Sequence, residues 1–127
     1  MALKEKEKQK WEEALVNLNL MEANDEVEDA VMGNSRSMMS WEQGDFVFTK
    51  ERFIFSCRSL IPTCNFSIKY SDIRSISKCL ANGFFPMGIK IEAFNPEKNK
   101  VETYKCCVSK RDKWIGLLSE KSGVSCS

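Results

Sequence analysis

The stretch Gly44-Asp45-Phe46-Val47-Phe48-Thr49-Lys50-Glu51-Arg52-Phe53-Ile54-Phe55 decides the fold. Phe46 and Phe48 stand two residues apart, as do Phe53 and Phe55, and in extended chain residues two apart share a face. Four aromatic rings therefore point into one interior from either side of a short polar segment. Thr49-Lys50-Glu51-Arg52 is short enough for a tight hairpin, so the two runs read as adjacent antiparallel strands.

Working outward, the same short-run texture extends in both directions, separated by turn residues as in an antiparallel β domain. The predicted strands are Glu28 to Gly33, Gln43 to Thr49, Arg52 to Arg58, Asn65 to Tyr70, Ile73 to Cys79, Met87 to Phe94 and Val101 to Val108. Phe66, Ile68 and Tyr70 share a face. Met87, Ile89 and Ile91 alternate with Lys90 and Glu92, and Tyr104, Cys106 and Val108 alternate with Lys105. Asn95 to Lys100 forms a polar hairpin in which Pro96 cannot donate to a ladder. Ile73 and Ile76 are three apart, which a straight strand would place on opposite faces, so a bulge or single helical turn is expected at Ser71 to Ile73.

Two helices bracket these strands. Over Lys4 to Met21, Trp11, Leu15 and Leu18 recur at spacings of four and three, with Ala14 and Met21 extending the stripe. Asn24, Asp25 and Glu26 follow as a polar joint. Near the end, Ser109-Lys110-Arg111-Asp112 reads as a capping box ahead of an apolar stripe of Trp114, Leu117 and Leu118, with Gly123 as the stop. The organisation read from this is a helical leader and joint over 1–26, a β domain with a terminal helix over 27–122, and a loose tail over 123–127.

Composition narrows the function. The chain has 127 residues, enough for one real core but not two domains. It contains no His, which removes Ser-His-Asp and Cys-His catalytic pairs and His-bearing zinc sites. The six Cys lack the short spacing of a zinc knuckle or redox motif. Met1 to Lys10 is charged throughout and does not read as a secretory leader, so the thiols are expected to be reduced, cytosolic and mostly structural. No enzyme, metal or cofactor is expected. The net charge of +1 hides an asymmetry: residues 1–34 carry four Lys against nine acids, net −5, and the remainder is +6. A balance this near neutral does not point to nucleic acid.

Seven short strands followed by one amphipathic helix is the arrangement of the pleckstrin-homology superfold, a bent antiparallel barrel plugged at one end. The residues carry the likeness further. Gly44 to Phe55, Phe66-Ser-Ile-Lys-Tyr-Ser-Asp-Ile73-Arg-Ser-Ile76, Gly88-Ile-Lys-Ile91 and Val108-Ser-Lys-Arg-Asp-Lys-Trp-Ile115 together resemble GRAM domains and the related bacterial PH-like domains. The resemblance covers about residues 27–121 and leaves the leader helix outside. It implies a non-enzymatic binding module, for anionic lipids such as phosphoinositides or for proteins. Phosphoinositide-binding members keep a Lys/Arg cluster in the first hairpin, where Met32 to Gln43 offers only Arg36.

The candidate anion or lipid contacts are Lys50, Arg52, Arg58 and Lys69, provided they converge on one mouth of the barrel. Solvated outward faces are the plainer reading of the same residues. Leu60 and Ile61 in one loop, and Phe84 and Phe85 in another, are apolar for their position and read as membrane or partner contacts, or for the Phe pair as the start of a strand. Trp11, Leu15 and Leu18 read as an interface with the chain's own domain or a second copy. The leading expectation is a protein-interaction or self-associating adaptor. The alternative is peripheral attachment to anionic lipid at the inner membrane face, with a cytoplasmic location in either case.

Overall fold

The fold is described from a computed structural model over residues 4–36, 40–58, 65–81 and 85–127. Helix α1 spans Glu5–Asn17, and seven strands follow: β1 Val27–Arg36, β2 Trp41–Thr49, β3 Arg52–Cys57, β4 Phe66–Lys69, β5 Ile73–Ala81, β6 Phe85–Asn95 and β7 Lys100–Cys107. Helix α2, Arg111–Ser122, closes the order. The strands form one bent antiparallel sheet ordered β4-β3-β2-β1-β7-β6-β5.

The β2–β3 hairpin is formed as expected, with Phe46 opposite Phe55 and Phe48 opposite Phe53. All four rings are buried in the principal core. Trp114 of α2 stacks on Phe48 at 5.3 Å between centroids, so the terminal helix plugs the barrel with an aromatic ring. Gly33 faces Gly44 across β1 and β2 at the bend. A Cβ at Gly33 would lie 2.5 Å from the Cys107 carbonyl oxygen, so glycine is needed where β7 closes on the other edge of β1 while β1 remains paired with β2.

The corner after β4 is one turn of 3₁₀ helix, Tyr70–Asp72, followed by a register shift between Ile73 and Ser75. Both Ile73 and Ile76 thereby reach the core. The Tyr70 hydroxyl donates to the Thr49 carbonyl at 2.8 Å, tying this corner to the β2–β3 turn.

Three expectations need correction. The leader helix is shorter than Lys4 to Met21, because Asn19 adopts a left-handed backbone (φ 59°) that turns the chain out of the helix. Ser109 is not a helix cap: α2 follows Lys110, itself left-handed (φ 56°), with no side-chain cap bond. Its first turn is fixed instead by Arg111, whose guanidinium donates to the carbonyls of Cys79 and Gly88 at 3.2 Å each, and by the Lys78–Asp112 ion pair at 3.0 Å. The tail is not loose, since Ser127 N–H donates to the Ile76 carbonyl at 2.9 Å and Val124 and Cys126 pack against the core. The tail so covers part of the β5 edge, which would otherwise present open backbone groups.

A second, smaller core lies on the other face of the same hairpin. Val47 and Ile54, directly opposite each other, are fully buried under Leu15 of α1 and Met21 of the joint, which in the structure runs over residues 18–26 between α1 and β1. The leader thus packs on its own domain.

Candidate functional site

The β2–β3 turn is organised by Thr49. Its hydroxyl oxygen accepts from the N–H groups of Glu51 (3.1 Å) and Arg52 (2.8 Å) and donates to Asp25 at 2.5 Å. This aims Lys50 and Arg52 to the outer side of the sheet, where Lys69 of β4 stands directly opposite Arg52. Of the four expected anion contacts, Arg52 and Lys69 therefore stand side by side, with Lys50 in the adjoining turn, as a cationic ridge. Arg58 does not join them. It lies at the far end of β3, about 20 Å along the strand at 3.3 Å per residue, and forms a fork to Asp45 with bonds of 2.9 and 3.2 Å.

The ridge is already met by acids of the joint. Glu22 pairs with Arg52 at 2.9 Å, and Glu26 pairs with Lys50 at 2.8 Å and with Lys8 of α1. Bonds from Lys50 and then Lys8 hold the Glu26 carboxyl down at about 2, and Arg52 holds Glu22 below the usual carboxylate range. The same contacts raise Lys50 and Lys8. Lys69 has no ion-pair partner among the described residues, although its field helps lower Glu22. The joint itself is pinned by polar contacts: Lys50 N–H donates to the Glu26 carbonyl at 2.9 Å, and the Ser67 hydroxyl to the Leu20 carbonyl at 2.6 Å.

Beside the ridge runs an open cleft of about 1520 Å³, with Leu20, Arg52, Lys69, Phe66, Phe94 and Tyr104 among its walls. Phe66 of β4 and Tyr104 of β7 meet at 4.8 Å between ring centroids. Burial, and then a bond to Glu102, push the Tyr104 hydroxyl up to about 12, so it remains a neutral donor.

The expected apolar contacts fare differently. Leu15 is fully buried and Trp11 packs against the second core, so both serve the chain's own domain, whereas Leu18 is 45% exposed. Leu60, Ile61 and Phe84 lie outside the described residues, and Phe85 opens β6 opposite Ala81. A feature not foreseen is a second like-charge pair, Lys90 directly opposite Lys105 on β6 and β7. The alternation that put both on a wet face was visible, but their register was not. Glu22 and Glu26 were also missed, because an acidic joint carries no local sign of where it will lie.

Among the described residues no group of three or more His, Cys, Asp or Glu is placed to hold a metal, and no helix is long and apolar enough to cross a membrane.

No family model and no curated protein matches the chain in sequence. Solved structures do. The C-terminal domain of an unknown protein from Leishmania infantum is similar with a TM-score of 0.68 at 18% identity, covering 90% of this chain and 95% of that one. The DH/PH domains of PDZ-RhoGEF, solved in a complex with GTP-gamma-S activated RhoA, give a TM-score of 0.64 at 12% identity over 89% of this chain and 33% of theirs. The Slm1-PH domain in complex with inositol-4-phosphate gives 0.52 at 10% identity, over 78% and 96%. The chain spans about a third of the RhoGEF chain and nearly all of the other two. The fold is that of a pleckstrin-homology domain.

Proposed function

We propose that the chain is a binding module for anionic headgroups at a membrane surface, with GRAM-like sequence character, acting through Lys50, Arg52 and Lys69. One observation supports this above the rest: Arg52 and Lys69 stand directly opposite each other in the β3–β4 ladder. Like charges so placed destabilise a strand pair, and an anion between them reverses the sign. Phosphate gains most where several donors converge, and Arg52, with Lys69 across the ladder and Lys50 in the adjoining turn, offers that. The Slm1-PH complex supports the reading as a case of this fold holding an inositol phosphate. The membrane reading places the chain at the cytoplasmic face.

Sedimentation with phosphatidylserine-containing vesicles at low and high salt tests this. Binding should appear at low salt, fall at high salt as screening shortens, and weaken in the Lys69→Gln variant. Equal binding to pure phosphatidylcholine vesicles would count against it.

A second reading, a protein partner or a second copy, is favoured by the cleft with its apolar Phe66, Phe94 and Tyr104. Light scattering on the full chain over a range of concentrations tests the self-associating form. A monomer throughout removes it.

A further inference from the structure

We propose that the acidic joint is a built-in occupant of the cationic ridge, and that docking on an anionic membrane displaces the Glu22 and Glu26 carboxylates from it. The inference rests on the membrane reading above and assigns that site its regulation. In the structure, carboxylate oxygens sit where headgroup phosphate oxygens would bond: 2.9 Å from the Arg52 guanidinium and 2.8 Å from the Lys50 ammonium. Two of the three ridge cations are thereby neutralised, and only Lys69 stays open to an incoming anion among the described residues.

The way the joint is held makes selective release feasible. Its backbone is anchored away from the carboxylates. Thr49 bonds Asp25, Ser67 bonds the Leu20 carbonyl, Glu12 accepts from Val27 N–H at 2.9 Å, and Met21 is buried with Leu15. The two masking side chains are by contrast at the surface, 56% exposed for Glu22 and 40% for Glu26. Exposed ion pairs of this kind are weak and screened by salt, so a membrane presenting many phosphates at once can exchange them. The helix need not leave its groove for the ridge to open; the two carboxylates need only turn away. The carboxylates of the leader and the membrane phosphates therefore compete for the same cations, and affinity is set by the difference.

The test uses the full chain carrying E22Q/E26Q, with E13Q/E120Q as a control that makes the same change in net charge at exposed positions outside the Glu22 and Glu26 ion pairs. Partition onto phosphatidylserine-containing vesicles at low salt should rise about 10- to 30-fold in E22Q/E26Q, the worth of two uncovered cations near a charged surface, and less than about threefold in the control. Adding Lys69→Gln to E22Q/E26Q should take back about fivefold. The single E22Q leaves the Glu26 bridge intact and keeps the test open if the double variant does not fold, with about a fivefold rise expected. If wild type binds and E22Q/E26Q gains no more than the control, masking is wrong while the membrane reading stands. If neither wild type nor E22Q/E26Q binds, the membrane reading itself fails.

Discussion

Two glycines make opposite demands on the chain. At Gly33 a methyl group would press on the Cys107 carbonyl and the Phe46 ring, at 2.5 and 2.7 Å, with backbone on one side and packed core on the other. Gly33→Ala should therefore lower stability by about 1–3 kcal/mol, the usual range for overpacking. Gly116, on α2, has nothing within 4 Å of such a methyl, so Gly116→Ala should stabilise by up to about 1 kcal/mol through helix propensity alone. Urea midpoints moving down for the first and up for the second check both signs. Glu26 makes a different residue-scale prediction. Its folded carboxyl sits at about 2 against an ordinary 4.5, so the folded form stays ionised where the unfolded chain takes up a proton. The stabilisation is present above the unfolded value and is lost as pH falls through the folded one. The stability gap between wild type and E26Q should be full above about pH 5 and close as pH drops toward about 2, measured as denaturation midpoint against pH.

At the scale of elements, what was legible depended on whether the signal was local. Alternating aromatics at Phe46, Phe48, Phe53 and Phe55 placed the central hairpin, and the three-residue step from Ile73 to Ile76 foretold the 3₁₀ corner. The spacing of Trp11, Leu15 and Leu18 announced a leader helix but not its seat. Its seat is Val47 and Ile54, which lie between the phenylalanines and therefore on the opposite face of the hairpin. Both faces of this hairpin are in fact buried. The misread cap of α2 has the same cause, since Arg111 bonding two carbonyls from β5 and β6 is a tertiary anchor that no run of four residues can reveal. The pairing of Arg52 with Lys69 likewise awaited the β3–β4 register, and Arg58 lies beyond the other end of β3. The seat of α1 can be tested on its own. Leu15→Ala removes a fully buried side chain from the second core and should cost about 2–5 kcal/mol. Native-state hydrogen exchange should show α1 and the joint losing protection first, while β2 and β6 keep theirs. Uniform loss across all elements would mean that the leader and barrel open as one unit.

At the scale of the molecule, one sheet wraps a principal core that draws on the sheet's strands and on α2, so opening that core requires the barrel as a whole to come apart. Cys106 reports on this event. It lies in the principal core, 1% exposed, between Ile89 on its own ladder and the aromatic interior, and burial pushes its thiol well above the ordinary range. Thiolate is the reactive form, so a buried, protonated thiol is inert until unfolding exposes it. Its neighbour Cys107 points to the other face and is only partly covered, although burial raises its thiol as well. In an alkylation time course read by peptide mass, Cys126 and Cys107 should therefore label before Cys106, whose rate should rise with urea in step with global unfolding. Adding Gly33→Ala should speed Cys106 labelling by the factor that its loss of stability predicts, about tenfold for each 1.4 kcal/mol, and leave Cys126 nearly unchanged. Labelling of Cys106 at the rate of Cys107, with no response to Gly33→Ala, would show that the barrel opens locally between β6 and β7, where Lys90 and Lys105 repel across the ladder.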